Sequence, residues 1–389
     1  MKIVFASDVS FNYFGNEYPG DSAAATAMAE ARECFLNADF SVINFESTFG
    51  LREDLVPIKK DGPNQVSHPA FAKYLECLAP GAACLANTHA GDHGAKPLLD
   101  TIKTLKAMGI TPFGAGTNID AAYEPVRFQK GEERVAVIGV CENEFGIATK
   151  NEAGAAGYSL GRVSAAISTA RAEGYIPVMF FHGGNEHYPF PSPLKKELYR
   201  HFIDLGAGAV VAMHTHCPQG YELYRGAPIV YSMGNFYFPA PSTPQRPRRT
   251  VWRYGYMTAL SFEKEGTRAE IIPYKQDFDG VHLLTGAELA HFNDYIAAVS
   301  APIGDDALLQ DYFDAWCIKR HLNSTLAKYY ADEKDRTADV KNTLGCEAHN
   351  EVLTNEAKLI FLGRTPDERL LADIEALQAM QIPQSLAKK

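Results

Sequence analysis

The sequence predicts an α/β protein built on a mainly parallel sheet, and three observations support this class. Short apolar runs, typical of buried strands, alternate with segments of helical spacing along the first half of the chain. The clearest unit joins the apolar runs 176–181 and 209–213 through a helical segment at 192–206, which predicts a βαβ crossover. Polar residues follow these runs directly, at the strand ends where open α/β sheets bind ligands.

The other predicted elements follow from the same patterns. Before the crossover they are strand 2–6, helix 22–36, strand 40–43, helix 69–78, strand 82–86, helix 98–108, strand 111–114 and a hairpin at 126–140. After it come a hairpin at 220–233 and two strands within 251–273. From Thr285 onward apolar residues recur at helical spacing, so we expect a domain at 1–280 and a helical C-terminal extension at 281–389.

Composition limits the functional classes. Of 389 residues, 46% are hydrophobic and 22% are charged, which is typical of a folded soluble protein. The formal net charge of -10 argues against nucleic-acid binding, although bound metal ions still allow an anionic substrate. The 7 cysteines include no CxxC pair, and the N-terminal apolar run is too short for a signal peptide. We therefore expect a cytoplasmic protein without a membrane span.

Six potential metal ligands stand at the ends of predicted strands. They are Asp8, Glu46, Asn87, His182, His214 and His216. Any one of them alone is more often a cap or a loop contact, but the set of carboxylates, an amide and imidazoles suits Mn, Fe or Zn rather than Ca. Two dications about 4 Å apart repel by on the order of 16 kcal/mol at an effective dielectric constant of 20, so a two-ion site requires a bridging anion. Either Glu46 or a hydroxide can fill that role.

The geometry of one ligand pair can also be predicted. His214 and His216 are two positions apart, and side chains at this spacing point to the same side of an extended strand. We therefore expect an extended backbone there, with both rings facing the same cluster.

Six short motifs follow one another along the first 240 residues. They are Ser7-Asp8-Val9, Asn44-Phe45-Glu46, Ala86-Asn87-Thr88-His89 with Asp92 and Gly94, His182-Gly183-Gly184-Asn185-Glu186-His187, His214-Thr215-His216, and Tyr231-Ser232-Met233-Gly234-Asn235-Phe236. The ordered set resembles the CapA-like proteins of poly-γ-glutamate capsule synthesis, within the calcineurin-like metallophosphoesterase superfamily.

This resemblance implies a four-layered α/β/β/α sandwich with one or two divalent ions at the strand ends. It implies that Asp8 and His216 hold one ion, that Asn87, His182 and His214 hold the other, and that Glu46 bridges them. It also implies a catalytic set of His89, Asp92 and Glu186. In this set His89 is a non-ligand histidine that donates a proton or hydrogen bond, and Glu186 contacts a ligand or the substrate. Ser10 replaces a histidine of the wider superfamily, which leaves the ion count at one or two.

Three functions agree with these observations. The first is a metal-dependent hydrolase that acts on a phosphoester, and the second uses the same ions to cleave an amide, as in a γ-glutamyl polymer. The third is a polymer-binding or assembly protein without turnover. In each case the partner is a small or polymeric anion, and the C-terminal helices form a lid or a homo-oligomer contact. A basic run of Arg246, Arg248, Arg249 and Arg253 either holds that anion or is a solvated loop.

Overall fold

The structure is a computed structural model that describes residues 1–15, 17–60, 62–242, 248–264, 266–319 and 337–387. The first elements are β1 (Lys2–Val9), α1 (Asp21–Leu36), β2 (Phe40–Phe45), α2 (Ala72–Leu78), β3 (Ala82–Cys84), α3 (Ala95–Ala107), β4 (Thr111–Phe113), β5 (Ala115–Gly116), α4 (Ile119–Ala122), β6 (Val126–Lys130), β7 (Glu133–Cys141) and β8 (Gly154–Ala155). Next come α5 (Leu160–Ala172), β9 (Ile176–His182), α6 (Pro193–Asp204), β10 (Ala209–Met213), β11 (Tyr221–Tyr224), β12 (Ala227–Val230), β13 (Asn235–Tyr237), β14 (Tyr254–Glu263), β15 (Gly266–Asp277) and β16 (Gly280–Leu283). The C-terminal helices are α7 (Gly286–Ser300), α8 (Asp306–Lys319), α9 (Thr337–Gly345), α10 (Glu347–Phe361) and α11 (Glu368–Gln378).

Two sheets form the centre of the molecule. The first has the strand order β16-β15-β14-β1-β2-β3-β4, with β13 paired to β1, and the second has the order β11-β12-β10-β9-β7-β6. Strands β1 to β4 run parallel, as do β7, β9, β10 and β12. Each sheet therefore presents several carboxyl strand ends along one edge.

The two sheets pack face to face, and helices cover their outer faces. The ring centroids of Phe5 in β1 and Phe180 in β9 lie 5.6 Å apart across the interface. At Gly139 in β7, an added Cβ would lie 2.6 Å from the Cys84 sulfur in β3, so the close approach of the sheets needs a glycine there. Helices α1 and α3 contact the first sheet, and α5 and α6 contact the second. The expected four-layer α/β/β/α sandwich is confirmed.

The predicted local units are also present. Strands β9 and β10 are parallel and joined by α6, and their register places His182 opposite Met213. Ser192 caps α6 by accepting a hydrogen bond from the Lys195 amide, and Pro193 occupies the first turn, as the sequence pattern favours. The pairs β6–β7 and β11–β12 are antiparallel hairpins.

The C-terminal helices pack on the loops that follow the parallel strands. The ring of Tyr188 lies 5.2 Å from that of Trp316 in α8, and the ring of Phe190 lies 4.6 Å from that of Tyr312. These contacts place the helices beside the carboxyl ends of β9 and β10. Within the described ranges, we find no helix of the length and apolar character needed to cross a lipid bilayer. An oligomer contact through these helices stays a prediction.

Candidate metal centre

Five of the six predicted ligands meet where the two sheets face each other. Asp8 belongs to β1, Glu46 follows β2, His182 ends β9, and His214 and His216 follow β10. All five are buried. The register explains the meeting, because β1 and β2 pair Asp8 with Asn44, while β9 and β10 pair His182 with Met213.

One group of potential ligands consists of Glu46, His182 and His214. Their ligand atoms all lie within 4.8 Å of one another. His182 Nε2 lies 2.9 Å from His214 Nδ1 and 3.7 Å from Glu46 Oε1. Two imidazole nitrogens and a carboxylate oxygen at these separations can coordinate a single Mn, Fe or Zn ion.

A second group consists of Asp8, Glu46 and His216, again with ligand atoms within 4.8 Å of one another. His216 Nδ1 lies 2.8 Å from Asn235 Oδ1, which assigns the ring hydrogen to Nδ1 and leaves Nε2 to act as a ligand. Asn44 Nδ2 donates to Asp8 Oδ1 at 2.7 Å, which fixes that carboxylate. Glu46 belongs to both groups, so it is the candidate ligand that they share, and its bridging role stays a prediction.

The electrostatics of these residues fit a cation. Both Glu46 oxygens are buried and have no hydrogen-bond partner among the described residues. Burial, and then the charge of Asp8, raises the pKa of Glu46 well above its usual range. Burial and the neighbouring His182 hold the pKa of His214 well below its usual range. A divalent cation would favour the ionised carboxylate and the neutral imidazole together.

Asn87, the sixth predicted ligand, is held by hydrogen bonds of its own. Its Nδ2 donates to the Phe45 carbonyl at 2.9 Å and to Asn44 Oδ1 at 3.3 Å. Its Oδ1 accepts a hydrogen bond from the His89 amide at 3.1 Å. The side chain thus ties the end of β2 to the turn that carries His89, and its role as a metal ligand stays a prediction.

His89 and Asp92 form a dyad beside the ligand groups. His89 Nδ1 lies 2.6 Å from Asp92 Oδ2, and His89 Nε2 lies 3.7 Å from Glu46 Oε1. A third residue that the sequence did not single out, the buried Lys60, contacts this dyad. Its Nζ lies 2.5 Å from Asp92 Oδ1 and 3.1 Å from His89 Nδ1. Burial, and then the charge of Lys60, lowers the pKa of His89 to about 4. The imidazole is therefore neutral at pH 7, with Nε2 facing the site.

The remaining predicted site residue, Glu186, lies at the rim. About half of its side chain is exposed, at 51%. The neighbouring His187 ring lies 6.2 Å from the His216 ring. Glu186 is thus placed to face a ligand that enters from solvent, and its catalytic role stays a prediction.

The expected extended backbone at His214 and His216 is wrong. Strand β10 ends at Met213, and the two histidines have φ values of 99° and 53°. Positive φ is costly for residues with a side chain, and such conformations cluster at functional sites. The His214 amide donates to Asp8 Oδ2 at 3.2 Å, and the two rings end 6.0 Å apart. The rings come together through two left-handed backbone positions rather than through strand alternation.

Asn44, Asn235 and Trp252 contact the candidate ligands. Asn44 and Asn235 form hydrogen bonds with Asp8 and His216, and both lie inside the sequence motifs, close to the end of a predicted strand and of a predicted hairpin. The ring of Trp252 lies 4.6 Å from the His216 ring, and the Arg248 guanidinium lies over Trp252 at 4.7 Å. Arg248 thus places a positive charge one aromatic ring away from His216. Arg246 of the same basic run lies outside the described residues.

Comparison with known proteins gives the family. Residues 2–240 match the family described as bacterial capsule synthesis protein PGA_cap, and the chain belongs to this family. It is 33% identical over 160 residues to the capsule biosynthesis protein CapA of Bacillus anthracis, covering 40% of this chain and 39% of that protein. It is 25% identical over 277 residues to the PGA biosynthesis protein CapA of Bacillus subtilis, covering 70% of this chain and 71% of that protein.

A comparison of folds adds one solved structure of partial likeness. The 5'-nucleotidase precursor of Thermus thermophilus aligns with a TM-score of 0.39 and 14% identity, over 73% of this chain and 54% of that chain. The family match ends at residue 240, so the C-terminal helices lie beyond it.

Proposed function

We propose that this protein is a metal-dependent hydrolase in which Glu46 is a metal ligand. The observation that carries the proposal is the position of that side chain. Both of its oxygens are buried without a hydrogen-bond partner in the described structure, yet it belongs to both ligand groups. A buried carboxylate is costly unless it is paired or coordinates a metal, so a bound cation is the simplest account of its presence.

The site can bind one or two ions. The Ser10 hydroxyl, at the position of the missing superfamily histidine, donates to Gln65 Oε1 at 2.6 Å. The group that contains Asp8 and His216 therefore relies on Glu46 for its third ligand. The two groups of candidate ligands would hold the divalent ions, which would supply Lewis acidity and an activated water for attack on a phosphoryl or acyl centre.

The residues around the ligands provide orientation and a proton relay. Asn44 and Asn235 hold Asp8 and His216 in fixed orientations, as the partners of metal ligands commonly do. His89 acts at Nε2, because Nδ1 is held by Asp92. As a neutral imidazole, His89 accepts a proton at that atom and returns it to the leaving group. No protein nucleophile is needed.

The first substrate class we propose is a phosphoester. Two neighbouring ions with a histidine beside them are a recurrent arrangement for in-line displacement at phosphorus. The positive charge of Arg248 beside Trp252 gives an anionic substrate a second contact at the rim.

The second class is a γ-glutamyl amide, and the family favours it. The two Bacillus relatives carry names that refer to capsule and PGA biosynthesis, so a poly-glutamate substrate is a specific alternative for the same centre. Its carbonyl would take the place of the phosphoryl group.

The experiment is an activity assay of the full chain, loaded in turn with Mn, Fe and Zn. The substrates are a chromogenic phosphodiester, a phosphomonoester and poly-γ-glutamate. We expect turnover of one class and its loss by a factor of at least about 10² in Asp8→Ala/His214→Ala. The matched control is Glu222→Gln, which removes a largely buried carboxylate that pairs with Arg200 outside the site. Full activity in the double variant would refute the proposal. Polymer binding that survives chelation, with no hydrolysis of any substrate, would favour an assembly protein instead.

A further inference from the structure

We propose a second metal site, formed by Glu144, Cys346 and His349 and separate from the strand-end centre. Glu144 lies in the loop after β7, within the region that matches the family. Cys346 and His349 belong to the start of α10, beyond the family match. The site is therefore composite, with ligands from the family region and from the C-terminal helices. Its chemistry fits Zn²⁺, with Co²⁺ as a spectroscopic substitute.

The distances between the ligand atoms match a tetrahedral ion. The Cys346 sulfur lies 3.7 Å from Glu144 Oε1, and His349 Nε2 lies 3.8 Å from the same oxygen. All three ligand atoms lie within 4.8 Å of one another. Ligands bonded to zinc at about 2.0–2.3 Å are roughly 3.3–3.6 Å apart at tetrahedral corners, so only small shifts are needed. Glu142 Oε2, 3.8 Å from the sulfur, or a water can be the fourth ligand.

The fold builds this arrangement without help from an ion. Cys346 is the N-cap residue of α10 and His349 lies three residues later in its first turn, so the two side chains share one face of the helix. Glu347 anchors the same turn, because its two oxygens accept hydrogen bonds from the Asn143 amide at 2.9 Å and from Asn143 Nδ2 at 2.6 Å. Asn143 directly precedes Glu144, so this contact holds Cys346 and His349 close to the Glu144 side chain.

The charges in the cluster also point to a cation. Glu142 already has a partner in the buried Lys195. Glu144, with 12% of its side chain exposed, has only His349 as an ion-pair partner among the described residues. Burial, and then Glu142, raises the pKa of Glu144 to about 8, and the same two causes raise the pKa of Cys346. A dication would replace the protons of both groups and leave the cluster neutral.

The mixture of donors selects the metal. A thiolate, an imidazole and a carboxylate together favour Zn²⁺ or Co²⁺ over Mg²⁺ and Ca²⁺, which prefer oxygen ligands. His349 keeps 33% of its side chain exposed, which provides an access route from solvent. The strand-end centre has no thiol among its candidate ligands, so the two sites can be distinguished by spectroscopy.

The experiment titrates the full-length, metal-free protein with Co²⁺ and records its near-ultraviolet absorption. We expect a sulfur-to-cobalt charge-transfer band that is lost in Cys346→Ser together with about one equivalent of cobalt. In His349→Ala the band should weaken, with a partial loss of bound cobalt. The band should persist in Asp8→Ala/His214→Ala, which disables the strand-end centre, so this result does not depend on the proposed hydrolase. Cys317→Ser, another buried thiol of the C-terminal helices, is the matched control and should keep the band.

Two outcomes would overturn the proposal. One is the absence of a charge-transfer band in the cobalt-loaded wild-type protein. This result would indicate that the three residues form a protonated, hydrogen-bonded cluster without a metal. The other is a band that survives Cys346→Ser. Thermal unfolding of each variant, compared with wild type, shows whether a lost band reflects a lost ligand or a lost fold.

Discussion

His182 Nε2 and His214 Nδ1 face each other at 2.9 Å, at the ends of two adjacent parallel strands. Two lone pairs cannot point at each other at this distance, so either one nitrogen carries a hydrogen or both bind the same cation. Both rings are buried, which disfavours an extra positive charge on either of them. The free energy of the folded state therefore depends on whether a hydrogen or a cation lies between the two rings.

Glu46→Gln should change stability and metal binding in opposite directions. In the metal-free protein the raised pKa means that folding at neutral pH must protonate Glu46, and glutamine avoids this cost, so we expect stability to rise by about 1–3 kcal/mol. The shared ligand is lost at the same time, so metal content should fall. Chemical denaturation of the metal-free protein and elemental analysis of the loaded protein measure the two effects.

The folding stability of the metal-free protein as a function of pH is a second measurement of the effect of Glu46. Because the pKa of Glu46 is raised in the folded state, the unfolded chain loses its proton first as pH rises above about 4.5, and stability then falls with increasing pH. This loss should shrink in Glu46→Gln and remain in Glu222→Gln. Wild-type metal content in Glu46→Gln would contradict the bridging role.

Asn235 should control metal affinity without touching the ion. Its Oδ1 accepts the hydrogen of His216 Nδ1, and its Nδ2 donates to the Trp252 carbonyl at 3.1 Å. Loss of such a partner typically weakens metal binding by about 10–100-fold. We expect this loss in Asn235→Leu and a smaller one in Asn235→Asp, which keeps an acceptor for His216. Equal affinities in the two variants, measured by competition with a chelator, would show that the hydrogen bond does not orient the ligand.

The sequence located the candidate ligands at strand ends because their positions depend on local pattern. A buried strand is visible as an apolar run, and the residue after it is fixed by chain order, so Asp8, Glu46 and His182 were accessible. The contribution of Asn235 depends on the pairing of β13 with β1, which joins residues more than two hundred positions apart. The turns at His214 and His216 require positive φ, which no residue type there signalled.

Contacts made by loops and by the C-terminal helices were out of reach for a related reason. Lys60 lies in a loop, and nothing in its neighbourhood indicates that its side chain is buried against Asp92. Cys346 and His349 meet Glu144 where Glu347 docks on Asn143. Spacing along the chain carries no information about such docking, since it is set by packing between distant elements.

Lys60→Met should raise the pKa of His89. Burial, and then the positive charge of Lys60, lowers that pKa to about 4, and Asp92 acts in the opposite direction. Without Lys60, the carboxyl groups of Asp92 and Glu46 still face His89, so imidazole titration by NMR in the metal-free protein should show a higher value. Folding stability of the wild type should fall as pH decreases from 6.5 toward 4, because the unfolded chain binds the proton first, and this fall should be smaller in the variant.

The control for this variant separates charge from packing. Lys60 is buried with Asp92, so its loss should cost about 3–5 kcal/mol at neutral pH. Lys73→Met removes a solvent-accessible lysine paired with Glu76, and it should leave both the stability and the titration of His89 unchanged. An unchanged pKa of His89 in Lys60→Met would show that Lys60 does not influence the protonation of His89.

The C-terminal helices should be required for the fold of the strand-end loops. We propose 1–280 and 281–389 as the two parts of the chain, yet Phe190 and Tyr188 of the first part bury their rings against Tyr312 and Trp316 of the second. Removal of 281–389 would expose these aromatic surfaces beside the metal centre. We therefore expect the truncated chain to aggregate or to lose its cooperative thermal transition.

Phe190→Ala tests the same contact in the full chain. The ring is buried against α8, so its truncation should cost about 3–5 kcal/mol. The matched control is Phe361→Ala, since Phe361 has 89% of its surface exposed and its loss should change stability by less than about 0.5 kcal/mol. Coupling would also appear as a single unfolding transition followed both by Trp316 fluorescence and by loss of metal. Two separate transitions, or a stable and cooperative 1–280 fragment, would show that the helices are an independent unit and that the aromatic contact is only an accessory one.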